Sequence, residues 1–167
     1  AAGVLNAIAG GGSFLTFPAL VFTGVPPIVA NATSALAVSP GYLGSTLGFK
    51  AELQAIPGTT LQREVVIAAV GGLIGATLLL VTPTRLFSGL VPWLLLLATA
   101  LFALGPVIAS RGAGLGHPRW RLPGLLLVAI YGGYFNGGLG ILLMALYTLT
   151  GESRLNTVNA LKNLNSF

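Results

Sequence analysis

Apolar residues along this chain come in long blocks, not in the alternating pattern of a half-buried strand or the stripe of a surface helix. Residues 1–49, 65–84, 86–110 and 122–151 contain no Asp, Glu, Lys or Arg. A helix that crosses a bilayer needs about 20 mostly apolar residues. The first block is long enough for two such helices and each of the others for one. The blocks predict segments over about 1–23, 28–49, 64–82, 86–109 and 122–149, and a sixth that starts near Leu155. Gly24–Pro27, Pro57-Gly58 and Thr82–Arg85 read as turns between them. Gly10–Gly12 should break the first segment, and Gly132-Gly133 with Gly137-Gly138 the fifth. Pro40-Gly41 should kink the second. Gly71 and Gly75, four residues apart, should let another helix approach closely.

The first and fifth segments resemble each other. Asn6–Ser13 reads NAIAGGGS, followed by an apolar run, Thr23-Gly24, and Asn31-Ala32 with Leu36. Phe135–Gly140 reads FNGGLG, followed by an apolar run, Thr150-Gly151, and Asn159-Ala160 with Leu164. The glycines match at an offset of 127 and the Asn-Ala pairs at 128, a difference of one inserted residue. A duplicated, glycine-broken, uncharged segment is the signature of a transporter built from related halves. The expected fold class is therefore an all-α, polytopic helical membrane protein with internal duplication and glycine-broken helices. Its expected parts are a first repeat over 1–109, a basic loop over 110–121, and the start of a second repeat over 122–167.

Composition supports the bilayer. Only 7% of residues are charged and 54% are hydrophobic, where a soluble domain carries about 25% charged residues. The net charge of +5 reads as loop charge between apolar spans, so no nucleic-acid partner is expected. If every segment crosses, the loops 50–63 and 110–121 share one side with five Lys/Arg against two on the other. If segments 1 and 5 are re-entrant, the halves are inverted and Arg154 joins the first side, making the split six to one. Both arrangements place those two loops in the cytoplasm. The expected location is the plasma membrane, multi-pass, as in a bacterial inner membrane. With no initiator Met and with the Leu155–Leu164 pattern still running at Phe167, a fragment of a longer chain is expected.

The reactive inventory is small. There is no cysteine and no Asp. The single His117 lies in the basic loop, and Glu52, Glu64 and Glu152 are all expected in loops. Neither a Ser-His-Asp triad nor a carboxylate pair can be assembled. No metal site, cofactor or enzymatic activity is expected.

The longest motifs, Gly3–Leu20, Ala30–Ser34, Tyr131–Ile141 and Asn159–Leu164, resemble the sulfite exporter TauE/SafE family of membrane permeases. The second glycine motif departs from the family's usual run at Asn136 and Leu139. The resemblance implies about eight membrane segments. It also implies transport of sulfite, sulfoacetate or other small organosulfur or organic anions.

The candidate substrate site lies between the two breaks. A helix that restarts at bilayer depth presents free N–H groups and a positive dipole end, which suits an anion. Asn6, Gly10, Gly11, Gly12 and Ser13 form the first break, and Asn136, Gly137 and Gly138 the second. Asn31 and Ser34, with Thr33, form a polar cluster in segment 2, matched by Asn159 and Lys162, with Asn163, in segment 6. Lys162 is the one charge inside an apparent span. The reading is a secondary transporter of small inorganic or organic anions, with a passive anion channel as the alternative, a membrane-embedded enzyme as a disfavoured third, and H⁺ or Na⁺ coupling left open.

Overall fold

A backbone passed through long uncharged stretches must satisfy its own hydrogen bonds, and a helix does so within one segment. The computed structural model describes residues 11–112 and 117–167, and no strand occurs among them. Its helices are α1 (Ser13–Phe22), α2 (Pro27–Gly48), α3 (Lys50–Gln54), α4 (Gly58–Val81), α5 (Thr84–Gly112), α6 (Arg121–Tyr134), α7 (Leu139–Leu149) and α8 (Leu155–Ser166). A 3-10 turn, Pro118–Trp120, leads into α6. The all-α class expected from the sequence is what the chain adopts. Asn6 and Gly10, and residues 113–116 of the basic loop, lie outside the described residues.

Prolines set the starts. Pro27 begins α2, Pro57 precedes α4 and Pro83 precedes α5, where a missing N–H costs nothing. Glycines set two of the stops. Gly24 and Gly151 both adopt the left-handed conformation, at φ 86° and 101°. At the end of α1, Gly24 donates its N–H to the Val21 carbonyl and Val25 to that of Leu20. At the end of α7, Gly151 donates to Thr148 and Glu152 to Tyr147. Both turns are Schellman caps, matched bond for bond at an offset of 127.

Three expectations are corrected. Gly132 and Gly133 do not break segment 5; they lie within α6, and the break is at Phe135–Gly138. The third segment begins at Gly58, so Glu64 is not in a loop but inside α4, fully buried. Helix α5 runs on to Gly112, into the stretch assigned to the basic loop. α2 passes through Pro40 as a single helix, although Pro40 brings no N–H to the carbonyl four residues back.

The most extensive contact between described elements is α4 against α6. It is a backbone contact made possible by glycine. A Cβ at Gly71 would sit 2.6 Å from Ala129 Cβ and 2.9 Å from the Leu126 carbonyl oxygen. One at Gly75 would collide with the Ile130 carbonyl oxygen, and one at Gly133 with that of Gly72. Gly71 faces Leu126–Ile130 and Gly75 faces Ile130–Tyr134, so the helices run parallel, with Glu64 beside Arg121 at their common start.

α7 then reverses. Gly132 packs on Leu139, Gly124 on Leu146, and Arg121 stacks over the Tyr147 ring. The fifth segment is thus a hairpin that returns to the end where it began. α6 has 14 residues, about 21 Å, which falls short of the ~30 Å hydrocarbon thickness. At the base, Leu53 and Ile56 pack against the core cluster that contains Leu125, Tyr147 and Leu161. At the tip, Phe135 packs among Phe17, Ala30, Leu79 and Phe87. Glu52 shares a recess with Arg154 and Leu155, which places the turn before α8 at the base end as well.

The exterior is apolar. Phe22, Leu80, Val81, Leu36, Leu73 and Trp93 are all more than two-thirds exposed. An aqueous surface would not carry so much apolar area. Among the described residues, one helix, α4, is long and apolar enough to cross a membrane.

Gly75→Leu should abolish recovery of folded protein, because its side chain must displace backbone. Gly72→Ala should be tolerated, because a Cβ there meets nothing within 4 Å; monodispersity on gel filtration reads both. Cysteines introduced at Thr59 and Ser153 should react with an impermeant maleimide from the same side of the membrane. Reaction from opposite sides would rule out the hairpin as the membrane topology.

Candidate functional site

The tip of the hairpin is built by a short run of backbone. Tyr134 ends α6, Phe135 is extended at φ −144° and ψ 107°, and Gly138 turns left-handed at φ 80° to start α7. The Tyr131 hydroxyl donates to the Gly137 carbonyl at 2.7 Å and holds the turn from below. The first turn of α7 points its N–H groups back toward this run, with a partial positive charge.

Asn31 of α2 clamps the tip. Its Nδ2 donates to the Tyr134 carbonyl at 3.1 Å, and its Oδ1 accepts the Asn136 N–H at 3.3 Å. One amide thus satisfies a donor and an acceptor that the break leaves bare, in a buried place where each would be costly. One turn along, the Ser34 and Thr16 hydroxyls share a hydrogen bond, and Thr16 also donates to the Gly12 carbonyl at 3.3 Å. The Phe17 ring meets the Phe135 ring edge-on at 5.4 Å. α1, α2 and the tip therefore form one unit.

The structure brings together Asn31, Asn136 and Gly137, with Ser34 a turn away. Gly12 precedes α1 at its N-cap position, and the buried Ser13 hydroxyl has no hydrogen-bond partner among the described residues. A Cβ on Gly11 would meet, among described residues, only Phe14 at 3.6 Å, an ordinary contact. Thr33 is exposed and stands apart from the cluster. Lys162 is fully buried in α8, and Asn159 is half-buried with no hydrogen-bond partner for its Oδ1 among the described residues. Asn163 binds the Ser45 hydroxyl at 2.7 Å, so its role is to join α8 to α2. Of the expected site residues that are described, only Asn136 lines the cavity of about 610 Å³ between α2, α4, α6 and the end of α8. Ala35, Ser39, Gly72, Gly132 and Asn165 line it too.

A second polar centre was not foreseen. Glu64 Oε1 pairs with Arg121 Nε at 2.7 Å. Its Oε2 accepts from the Tyr147 hydroxyl at 3.0 Å and lies 3.4 Å from Asn165 Nδ2. Asn165 also donates to the Tyr147 hydroxyl at 2.8 Å. The polar run Thr59–Arg63 beside Glu64 makes a loop the natural reading; the Pro57-Gly58 turn, taken as a helix start, would have moved Glu64 into the second turn of α4.

A family profile described as "Sulfite exporter TauE/SafE" matches residues 1–167. The chain is 29% identical to a "Probable membrane transporter protein" of Haemophilus influenzae, covering 99% of this chain and 68% of that one. It is 29% identical to a probable membrane transporter protein of a Sinorhizobium species, over 98% of this chain and 64% of the other. It is 27% identical to one of Escherichia coli K12, over 99% and 62%. The chain thus spans about two-thirds of the length of these relatives. No solved structure matches it.

Asn31→Ala should cost about 1–3 kcal/mol, the cost of leaving a buried donor and acceptor unmade. Thermal unfolding in detergent measures this. Asn31→Asp should recover part of the loss, because a carboxylate still accepts from Asn136 but cannot donate to Tyr134.

Proposed function

The chain belongs to the sulfite exporter TauE/SafE family, and from that premise we propose that it forms the greater part of a multi-pass membrane transporter for small anions such as sulfite or sulfoacetate. The observation that carries this reading is the clamped hairpin. Asn31 bonds the backbone on both sides of the turn that starts α7, at the Tyr134 carbonyl and the Asn136 N–H, and this turn is buried in the protein interior.

Irregular backbone at membrane depth is tolerated where it lines a cavity or is covered by protein. Here the amides at Gly137, Gly138 and Gly140 supply donors without a competing positive side chain, and the α7 dipole favours negative charge. Ser13 offers a further hydroxyl. Lys162, buried in α8, adds a full positive charge at a place where the first copy of the motif carries Ser34. On this reading the first break, Asn6 and Gly10–Gly12, faces the second, and the substrate binds between them.

The hairpin also favours the inverted arrangement of halves. A segment that enters and returns places the loops 50–63 and 110–121 and the turn at Arg154 on one side. That side collects six Lys/Arg, which is the cytoplasmic signature. The plasma membrane of a bacterium is the location that fits the relatives' sources.

The full-length protein in proteoliposomes should take up radiolabelled sulfite or sulfoacetate with saturation, and should accumulate it against its gradient when an ion gradient is imposed. Equilibration without saturation would instead mark a channel. Lys162→Gln should raise the apparent KM or cut uptake, and Lys162→Arg should partly spare it. An unchanged KM in the Gln variant would remove Lys162 from the substrate site.

A further inference from the structure

We propose that Glu64 is a proton-binding site, and that protonation and deprotonation of its carboxylate, with release and re-formation of the Arg121 ion pair, couple proton movement to transport. The inference rests on the transporter reading above and adds the coupling ion to it.

Ionisable side chains within membrane-spanning helices are costly and mark ion pathways and proton relays. Glu64 is such a group: it is fully buried inside the one described helix that meets the length and hydropathy of a membrane span. A carboxylate kept only for helix packing would gain little there, since a buried pair is weak evidence of stability against an apolar replacement.

Its surroundings suit a switch. Arg121 from α6 supplies the positive charge, and Tyr147 from α7 the other titratable group. α8 supplies the neutral Asn165, and carries Lys162 three residues earlier. α6 and α7 are the two arms of the hairpin, so one carboxylate ties both arms to the scaffold helix α4. The Arg121 side chain is 21% exposed while that of Glu64 is 1% exposed, which gives protons an approach from the base end along the guanidinium.

The two centres are mechanically linked. Gly75, beside the tip, lies eleven residues beyond Glu64, about 16 Å along the helix. Asn165, which touches Glu64, and Asn136, which ends the clamp, line the same cavity. A proton arriving from water adds to a Glu64 carboxylate oxygen and cancels its charge. Arg121 keeps its own proton and loses its partner, so the ionic tie between α4 and the base of the hairpin is released while the glycine contact of α4 with α6 remains. Loss of the same proton to water on the other side restores the pair. Nothing else is consumed.

The test uses the full-length protein in proteoliposomes loaded with a pH-sensitive dye. Sulfoacetate is the probe, because it stays ionised at neutral pH and carries no proton itself. The wild type should move protons with sulfoacetate. Glu64→Gln, which mimics the protonated group, should keep sulfoacetate exchange between equal pools but lose proton movement to the level of empty vesicles. Proton-coupled uptake retained in Glu64→Gln would overturn the inference. Should that variant not fold, Tyr147→Phe removes one hydrogen bond to the carboxylate and should shift the pH midpoint of uptake; an unmoved midpoint would equally overturn it.

Infrared difference spectroscopy of the protein in lipid nanodiscs judges the site without substrate. A protonated carboxyl band should appear on acidification, be missing in Glu64→Gln and shift its midpoint in Tyr147→Phe. Its absence from the wild type rejects the proton site. If neither sulfite nor sulfoacetate moves in the wild type while this band titrates normally, it is the substrate reading that fails and the proton site that stands.

Discussion

The close approach of α4 and α6 governs the rest of the architecture. Two helices whose backbones touch through Gly71, Gly75 and Gly133 cannot slide or rotate without collision. In lipid the helices gain nothing by hiding apolar surface from water, so van der Waals contact of this kind carries much of the association. Because the contact is parallel, α6 starts at the same end as α4. The chain after Tyr134 then meets the aromatic cluster of Phe17, Phe87 and Phe135 and folds back as α7.

That return creates two polar centres at opposite ends of one hairpin. At the tip, the bare backbone of the break is satisfied by Asn31, and at the base the two arms meet Glu64 through Arg121 and Tyr147. Between them lies the contact that holds α6 against α4. In the proposed coupling, a change at one joint reaches the other because packed interfaces rearrange as units and do not deform smoothly. The cavity touched by Asn136 and Asn165 lies where such a movement would be felt.

The two motif copies are alike where the backbone turns and unlike where chemistry is carried. Gly24 and Gly151 close their helices with the same hydrogen bonds. Ser34 bonds Thr16, whereas its counterpart Lys162 brings a charge into α8. Turn geometry is a demand of the chain itself, so both copies keep it.

The helical class was legible in the sequence, because long uncharged blocks admit only helices in lipid, and Pro27, Gly24 and Gly151 mark helix ends by local sterics. The close-approach role of Gly71 and Gly75 was legible for the same reason, since four-residue spacing puts both on one face. Direction was not. An apolar block says that a segment suits lipid but not whether it crosses or returns, and only the contacts of Gly124 with Leu146 and Gly132 with Leu139 decide that α7 reverses. A glycine pair is equally suited to a break and to tight packing, so Gly132-Gly133 became packing once α4 lay against it, while Gly137-Gly138 became the break. Glu64 read as a loop residue because its neighbours Thr59–Arg63 are polar. It is buried because Arg121, 57 positions later, arrives at its side with the opposite charge, and a partner so far along the chain leaves no local trace in the sequence around Glu64.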